Sequence, residues 1–100
     1  GHFVINTADE INNDAQVKIA VDAGSGNVLS QLNSVYKVMD TVLTGSDQNV
    51  VVHCAMGMER SVLSVVWYLA NKNTMTLKRS LELVQSKRAI AQDRLSWILT

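Results

Sequence analysis

The chain has no proline, one cysteine, one phenylalanine and no net charge. With a single cysteine an internal disulfide is impossible, which points to a reducing, intracellular setting and a cytoplasmic location. A formal charge of zero gives no overall field to gather nucleic acid or an anionic membrane, so neither is expected as a partner. The longest apolar run, Val62–Ala70, includes Ser64 and is too short to span a bilayer. No stretch has the charged, apolar and small-residue layout of a secretory leader, and there is no internal repeat.

What the chain does have is enough apolar material, 47% of 100 residues, for one small core. A single compact domain over residues 3–100 is expected, with Gly1-His2 read as the remnant of a cleaved tag. Charge is unevenly distributed along it. Residues 1–70 carry Lys18, Lys37 and Arg60 against seven acids, whereas residues 71–100 carry six bases against Glu82 and Asp93. A solvated helix face accounts for the basic C-terminal part.

The β-branched runs Phe3–Ile5 and Val17–Val21 read as strands, separated by a polar stretch rich in turn-forming Asn and Asp. Apolar residues then recur at Leu29, Leu32, Val35, Tyr36, Met39, Val42 and Leu43, one face of a helix ending near Gly45. Val50-Val51-Val52 is a continuous apolar run, which predicts a strand buried on both faces of a parallel sheet. A helix from about Ser61 to Asn71 should turn Val62, Val65, Val66 and Leu69 inward. Thr76 can cap a further helix that buries Leu77, Leu81 and Val84, with Leu83 at its margin. A last short helix would use Leu95, Trp97 and Ile98, and both tryptophans read as core. Alternating strands and helices with no proline indicate an α/β fold, a small parallel-rich sheet flanked by helices.

The chemically informative stretch is Val50–Ser61, where a buried strand runs into a loop and then into a helix N-terminus. Loop N–H groups and the positive end of the helix together form an anion site. Across Ala55, Met56, Gly57, Met58, Glu59 and Arg60 the main chain can cradle a phosphate, Gly57 permitting a conformation or close approach that a side chain would obstruct. Arg60 can close over it with a planar fork that matches two phosphate oxygens. Cys54 in that field should be a thiolate near neutral pH, and therefore a nucleophile. Ser61 can donate its hydroxyl to that thiolate, and His53 can fix the loop through hydrogen bonds. A lone cysteine behind three valines would otherwise read as core. His53, Gly57, Arg60, Ser61 and Asp22 at compatible spacings argue against that reading for Cys54.

His-Cys, five residues, then Arg-Ser resembles the active-site loop of the cysteine-dependent protein tyrosine phosphatases, and the chain's size resembles their dual-specificity branch. Val4-Ile5-Asn6-Thr7, the helix Ser61–Asn71, the segment Met75–Arg88 and the closing stretch Ile90–Leu99 extend the likeness over nearly the whole chain from residue 3. The resemblance implies a minimal phosphotyrosine protein phosphatase-like fold. It also implies a two-step reaction through a cysteinyl-phosphate, without metal or other cofactor, on phosphotyrosine and also phosphoserine or phosphothreonine of a protein substrate. It implies a general acid on a mobile loop about thirty residues before the cysteine, a place that Asp22 fits, with Ala23-Gly24-Ser25-Gly26 as hinge and Asn27 helping to shape the loop. Asp40, inside the predicted helix, is expected to be solvated.

The chain departs from the family pattern in three respects. Glu59 stands where a small residue is usual; an outward side chain paired with a base is expected, because the loop needs its N–H alone. Met56 and Met58 stand where phosphoinositide-directed relatives carry lysines, which disfavours such substrates. The segment that precedes the first strand in such domains is absent from these 100 residues, so an exposed sheet edge and self-association are expected. The competing functional reading is a phosphate-binding interaction module with negligible turnover, a pseudophosphatase.

Overall fold

The computed structural model describes residues 2–8, 10, 15–22, 26–55 and 59–98. Strand β1 (His2–Asn6) is followed by β2 (Val17–Lys18), helix α1 (Val28–Gly45), strand β3 (Asn49–His53), helices α2 (Arg60–Lys72) and α3 (Leu77–Lys87), and a 3-10 turn at Leu95–Trp97. The strands form one parallel sheet in the order β2-β1-β3. Strand β1 begins at His2, which pairs with Asn49, so ordered sheet structure starts one residue before the expected run.

The central position of β1 follows from its residues. Ile5, Asn6, Thr7 and Ala8 are all essentially removed from solvent, and the polar ones are satisfied. Asn6 Oδ1 accepts from the Ala8 N–H at 2.8 Å. The N–H and the hydroxyl of Thr7 both donate to the His53 carbonyl, each at 2.8 Å. The regular part of β2 is only two residues long, shorter than the Val17–Val21 run predicts. The chain nevertheless keeps to β1, since the Ile19 N–H donates to the Asn6 carbonyl and the Val21 N–H to the Thr7 carbonyl. Val21 is thereby drawn into the core with Ile5.

In α1, Val28, Leu32, Val35 and Met39 recur at helical spacing and form the buried stripe. Gly26, at φ +77°, takes the backbone through the left-handed region just before this helix, where a side chain would be strained. Helices α1 and α2 both pack on β3 and on each other, and α3 packs on α2. Thr76 caps α3 by accepting the Arg79 N–H at 3.1 Å. Leu81 is its buried residue, while Leu77 and Val84 are half-buried and Leu83 is exposed. Ser80, fully buried, joins the two helices by donating to the Val66 carbonyl at 2.7 Å.

Three expectations are corrected. Among the described residues β3 pairs only with β1, and Val51 is 41% exposed, so the valine run is a sheet edge instead of a strand covered on both faces. Beside that edge lies an open apolar groove of roughly 640 Å³, walled by Val52, Val65, Leu69, Leu83 and Val84, with Lys87 and Arg88 also on its lining. Val65 and Leu69 line this groove and are only half-buried. Asp40 is half-buried and not simply solvated: it accepts from the Tyr68 hydroxyl at 3.1 Å and pairs with Lys72 Nζ at 2.9 Å. The Lys72 hydrogen bond is the main cause that holds the Asp40 carboxyl below its ordinary range. Thirdly, neither tryptophan is fully buried. Trp67 Nε1 donates to Asn33 Oδ1 at 3.0 Å, linking α2 to α1.

Thr7→Val is expected to lower unfolding stability by about 1 kcal/mol, because it removes the hydroxyl that donates to the His53 carbonyl. Urea denaturation monitored by circular dichroism measures this; an unchanged midpoint would show that the hydroxyl contributes nothing there.

Candidate active site

Cys54 lies immediately past the C-terminal end of β3, and Arg60 and Ser61 open α2. The doubly held His53 carbonyl sets where the chain leaves the sheet. Cys54 is buried, 8% exposed, and its Sγ lies 3.3 Å from Ser61 Oγ. A hydroxyl at that distance can donate to a thiolate or accept from a thiol. Ser61 is itself buried, and the Leu63 N–H donates to the Glu59 carbonyl at 2.8 Å to begin the helical ladder. Met56, Gly57 and Met58, assigned to the phosphate loop, lie outside the described residues, as do Ala23, Gly24 and Ser25 of the expected hinge. Ala55 is described and exposed at the start of the loop.

Arg60 does not hang free. Its Nη1 and Nη2 donate to the two carboxylate oxygens of Glu10 at 2.9 and 2.5 Å, a fork-to-fork ion pair. The hydrogen bond from Arg60 is the main cause that lowers the Glu10 carboxyl to a pKa of about 2. The same bond raises the Arg60 guanidinium further above its already high value. Glu10 was not evident as a site residue from sequence: it lies in a polar turn stretch fifty residues from Arg60, and no local spacing rule connects them.

Asp22 and Arg60 meet at one cavity of roughly 480 Å³, lined also by Glu10, Ala20, Val21, Gln31 and Trp97. The Asp22 N–H donates to Gln31 Oε1 at 2.9 Å, so α1 holds the backbone at this exposed residue of the cavity lining. Two carboxylates thus border the arginine. Glu10 is kept ionised by its pair with Arg60 and cannot serve as a proton donor near neutral pH; Asp22 is the other acid on that wall. Asn27 stands at the N-cap of α1 without a side-chain capping bond, its carbonyl accepting the Gln31 N–H.

Glu59 takes the outward course expected of it. Its Oε1 accepts from Arg94 Nη2 at 3.1 Å, and the Arg94 guanidinium sits 6.0 Å from the centre of the Trp97 ring. Arg94 also donates to Gln92 Oε1. The loop acid is therefore tied to the C-terminal segment, and Trp97 from that segment walls the Arg60 cavity. Sequence reading placed Trp97 in the core, since helical spacing among apolar neighbours does not distinguish a core ring from a cavity wall. Among the described residues no group of three His, Cys, Asp or Glu side chains could hold a metal ion, and no helix is long and apolar enough to cross a membrane.

The lowered Glu10 pKa means that the pair stabilises the folded state fully above the ordinary carboxyl value of 4.5, and that this contribution is lost as pH falls through about 2. Carboxyl ¹³C NMR should find Glu10 titrating near 2, and Arg60→Met should return its midpoint toward 4.5. A midpoint unmoved by Arg60→Met would mean that the ion pair does not form in solution.

Comparison with known proteins bears on the family and the fold. The family model "Dual specificity phosphatase, catalytic domain" matches residues 2–99. Dual specificity protein phosphatase 1B of Arabidopsis thaliana is 38% identical over 68 residues, 68% of this chain and 40% of that protein. Dual specificity protein phosphatase 1 of the same plant is 46% identical over 50 residues, 50% of this chain and 25% of that protein. The chain thus spans less than half the length of these curated relatives. Human DUSP28 has the same fold at a TM-score of 0.78 with 17% identity, over 94% of this chain and 67% of its own. The Yvh1 phosphatase domain of Chaetomium thermophilum superposes at 0.76 with 23% identity, over 96% of this chain and 72% of its own. A mouse protein solved in complex with zinc tungstate superposes at 0.76 with 21% identity, over 94% of this chain and 62% of its own. A cysteine at the end of the sheet, the arginine and serine that open the next helix, and a family match over almost every residue lead to one conclusion: the chain belongs to the dual specificity phosphatase catalytic-domain family.

Proposed function

We propose that residues 3–100 form a single catalytic domain that hydrolyses phosphate monoesters on proteins, phosphotyrosine foremost and phosphoserine or phosphothreonine as well. The observation that carries this reading is a pair of juxtapositions around the end of β3 and the start of α2. Cys54 Sγ lies 3.3 Å from Ser61 Oγ at the end of β3, and the adjacent Arg60 shares a cavity with Asp22. A mouse structural neighbour was solved in complex with zinc tungstate, which supports an oxyanion as a ligand of this fold.

In the first step the Cys54 thiolate attacks phosphorus, the S–P bond forms and the P–O ester bond breaks. The departing oxygen takes the proton of the Asp22 carboxyl. In the second step Asp22, now a carboxylate, removes a proton from water as its oxygen attacks phosphorus, and the S–P bond breaks to release phosphate. Ser61 donates its hydroxyl to the thiolate in this step, which makes sulfur a better leaving group. Arg60 and the loop N–H groups stabilise the charge on the phosphoryl oxygens, so the reaction has no need of a metal. His53 supports the loop through its carbonyl, held by Thr7. Lysine side chains do not figure in this scheme, and the Glu59 carboxylate is paired with Arg94.

Hydrolysis of p-nitrophenyl phosphate in the presence of chelator tests the reading with wild type, Cys54→Ser and Asp22→Asn across pH. Cys54→Ser is expected to abolish turnover. Asp22→Asn should reduce kcat by about a hundredfold or more and remove the limb of the pH profile that reports the acid. Turnover that survives Cys54→Ser would sink the mechanism. A folded wild type that binds phosphate but forms no product would instead identify an interaction module.

A further inference from the structure

Arg60 directs both of its terminal nitrogens at a single carboxylate. Glu10 presents two oxygens to Nη1 and Nη2 at 2.9 and 2.5 Å, the fork geometry by which a guanidinium also grips two oxygens of a phosphoryl group. The pair lies on the wall of the cavity that Asp22 shares, with Arg60 only 22% exposed at its side chain and Glu10 55% exposed. Arg60 is anchored at the first residue of α2, whereas Glu10 sits in a turn after β1. The Arg60 backbone is set by α2, and Glu10 is the more exposed partner of the pair.

We propose that Glu10 is a built-in competitor for the phosphate site: its carboxylate occupies the Arg60 fork, and an incoming oxyanion has to take those donors from it. This rests on the reading of Arg60 as a phosphate-binding residue. Two of the five guanidinium N–H donors are engaged by the Glu10 oxygens, and they are the two that a phosphoryl group gripped end-on would use. A dianion that also collects loop N–H groups displaces the carboxylate, whereas a weak monoanion does not. Because the carboxyl is held ionised, with a pKa of about 2, ordinary changes of pH do not lift the competition. Glu10 thereby sets the threshold of oxyanion affinity without touching the reacting atoms, and it belongs to neither the nucleophile nor the acid of the reaction.

The test is binding of inorganic phosphate and of tungstate, measured by calorimetry in Cys54→Ser and in that variant combined with Glu10→Gln, Glu10→Ala or Glu10→Asp, at fixed ionic strength. Loss of the carboxylate should tighten both anions roughly two- to fivefold, the range expected from releasing an exposed ion pair. Glu10→Asp, one methylene shorter but still charged, should fall between. In enzymes with Cys54 intact, Glu10→Gln should lower KM for p-nitrophenyl phosphate by a similar factor and leave kcat unchanged. Weaker anion binding or a lower kcat in Glu10→Gln would overturn the proposal, since Glu10 would then be holding Arg60 in position for phosphate. Failure of any variant, Glu10→Ala included, to bind either anion would overturn it together with the phosphate-site reading. Tighter anion binding in a chain that turns nothing over would uphold it and reject only the phosphatase reading.

Discussion

The parallel pairing of β1 with β3 is the constraint from which the site follows. Five residues of each strand are in register, from His2 opposite Asn49 to Asn6 opposite His53. At the end of that ladder Thr7 places two donors on the His53 carbonyl, so the chain leaves the sheet at a fixed point with Cys54 as its next residue. Backbone groups buried in a sheet must be paired, and the register therefore resists slippage more strongly than any single side-chain contact would. Arg60 and Ser61 are fixed from the other side, because α2 packs on β3 and is joined to α3 through the buried Ser80. The cysteine and serine are thus held by two different elements, and their 3.3 Å separation reports how well those elements fit.

Charge is arranged in space quite differently from along the chain. The acidic first part and the basic last part are joined across the fold: Asp40 on α1 meets Lys72 at the end of α2, and Glu59 meets Arg94. Glu10 and Arg60 repeat the arrangement within the first part. Such exposed pairs contribute little each to stability. Their effect is directional, since each settles which way an acid or a base near the site is turned.

The elements were legible in the sequence because their signals are local. The stripe Val28, Leu32, Val35 and Met39, the valine run of β3 and the Thr76 cap depend on neighbours within a turn or a strand. Cys54, Arg60 and Ser61 were legible for the same reason, as they belong to one short motif. Asp22 was reached by its distance from that motif, and the structure brings it to the Arg60 cavity. Contacts across long separations left no such trace. A continuous valine run has the same appearance in a central strand and in an edge strand, and only the sheet order β2-β1-β3 distinguishes them. The Glu10–Arg60 fork, the Tyr68–Asp40–Lys72 cluster and the place of Trp97 on a cavity wall each join residues whose spacing carries no periodicity.

The tie between Glu59 and Arg94 bears on how this sequence can drift. The Glu59 carboxylate precedes Arg60 directly in the chain, and a base thirty-five positions later turns it aside. Loss of Arg94 alone would release an acid next to Arg60, whereas loss of Glu59 alone would leave Arg94 its contacts with Gln92 and the Trp97 ring. The order of substitution therefore matters: a change at position 59 removes the acid at once, whereas a change at position 94 first leaves that acid beside Arg60 without the base that turns it aside. The two positions are therefore coupled, although thirty-five residues separate them in the chain.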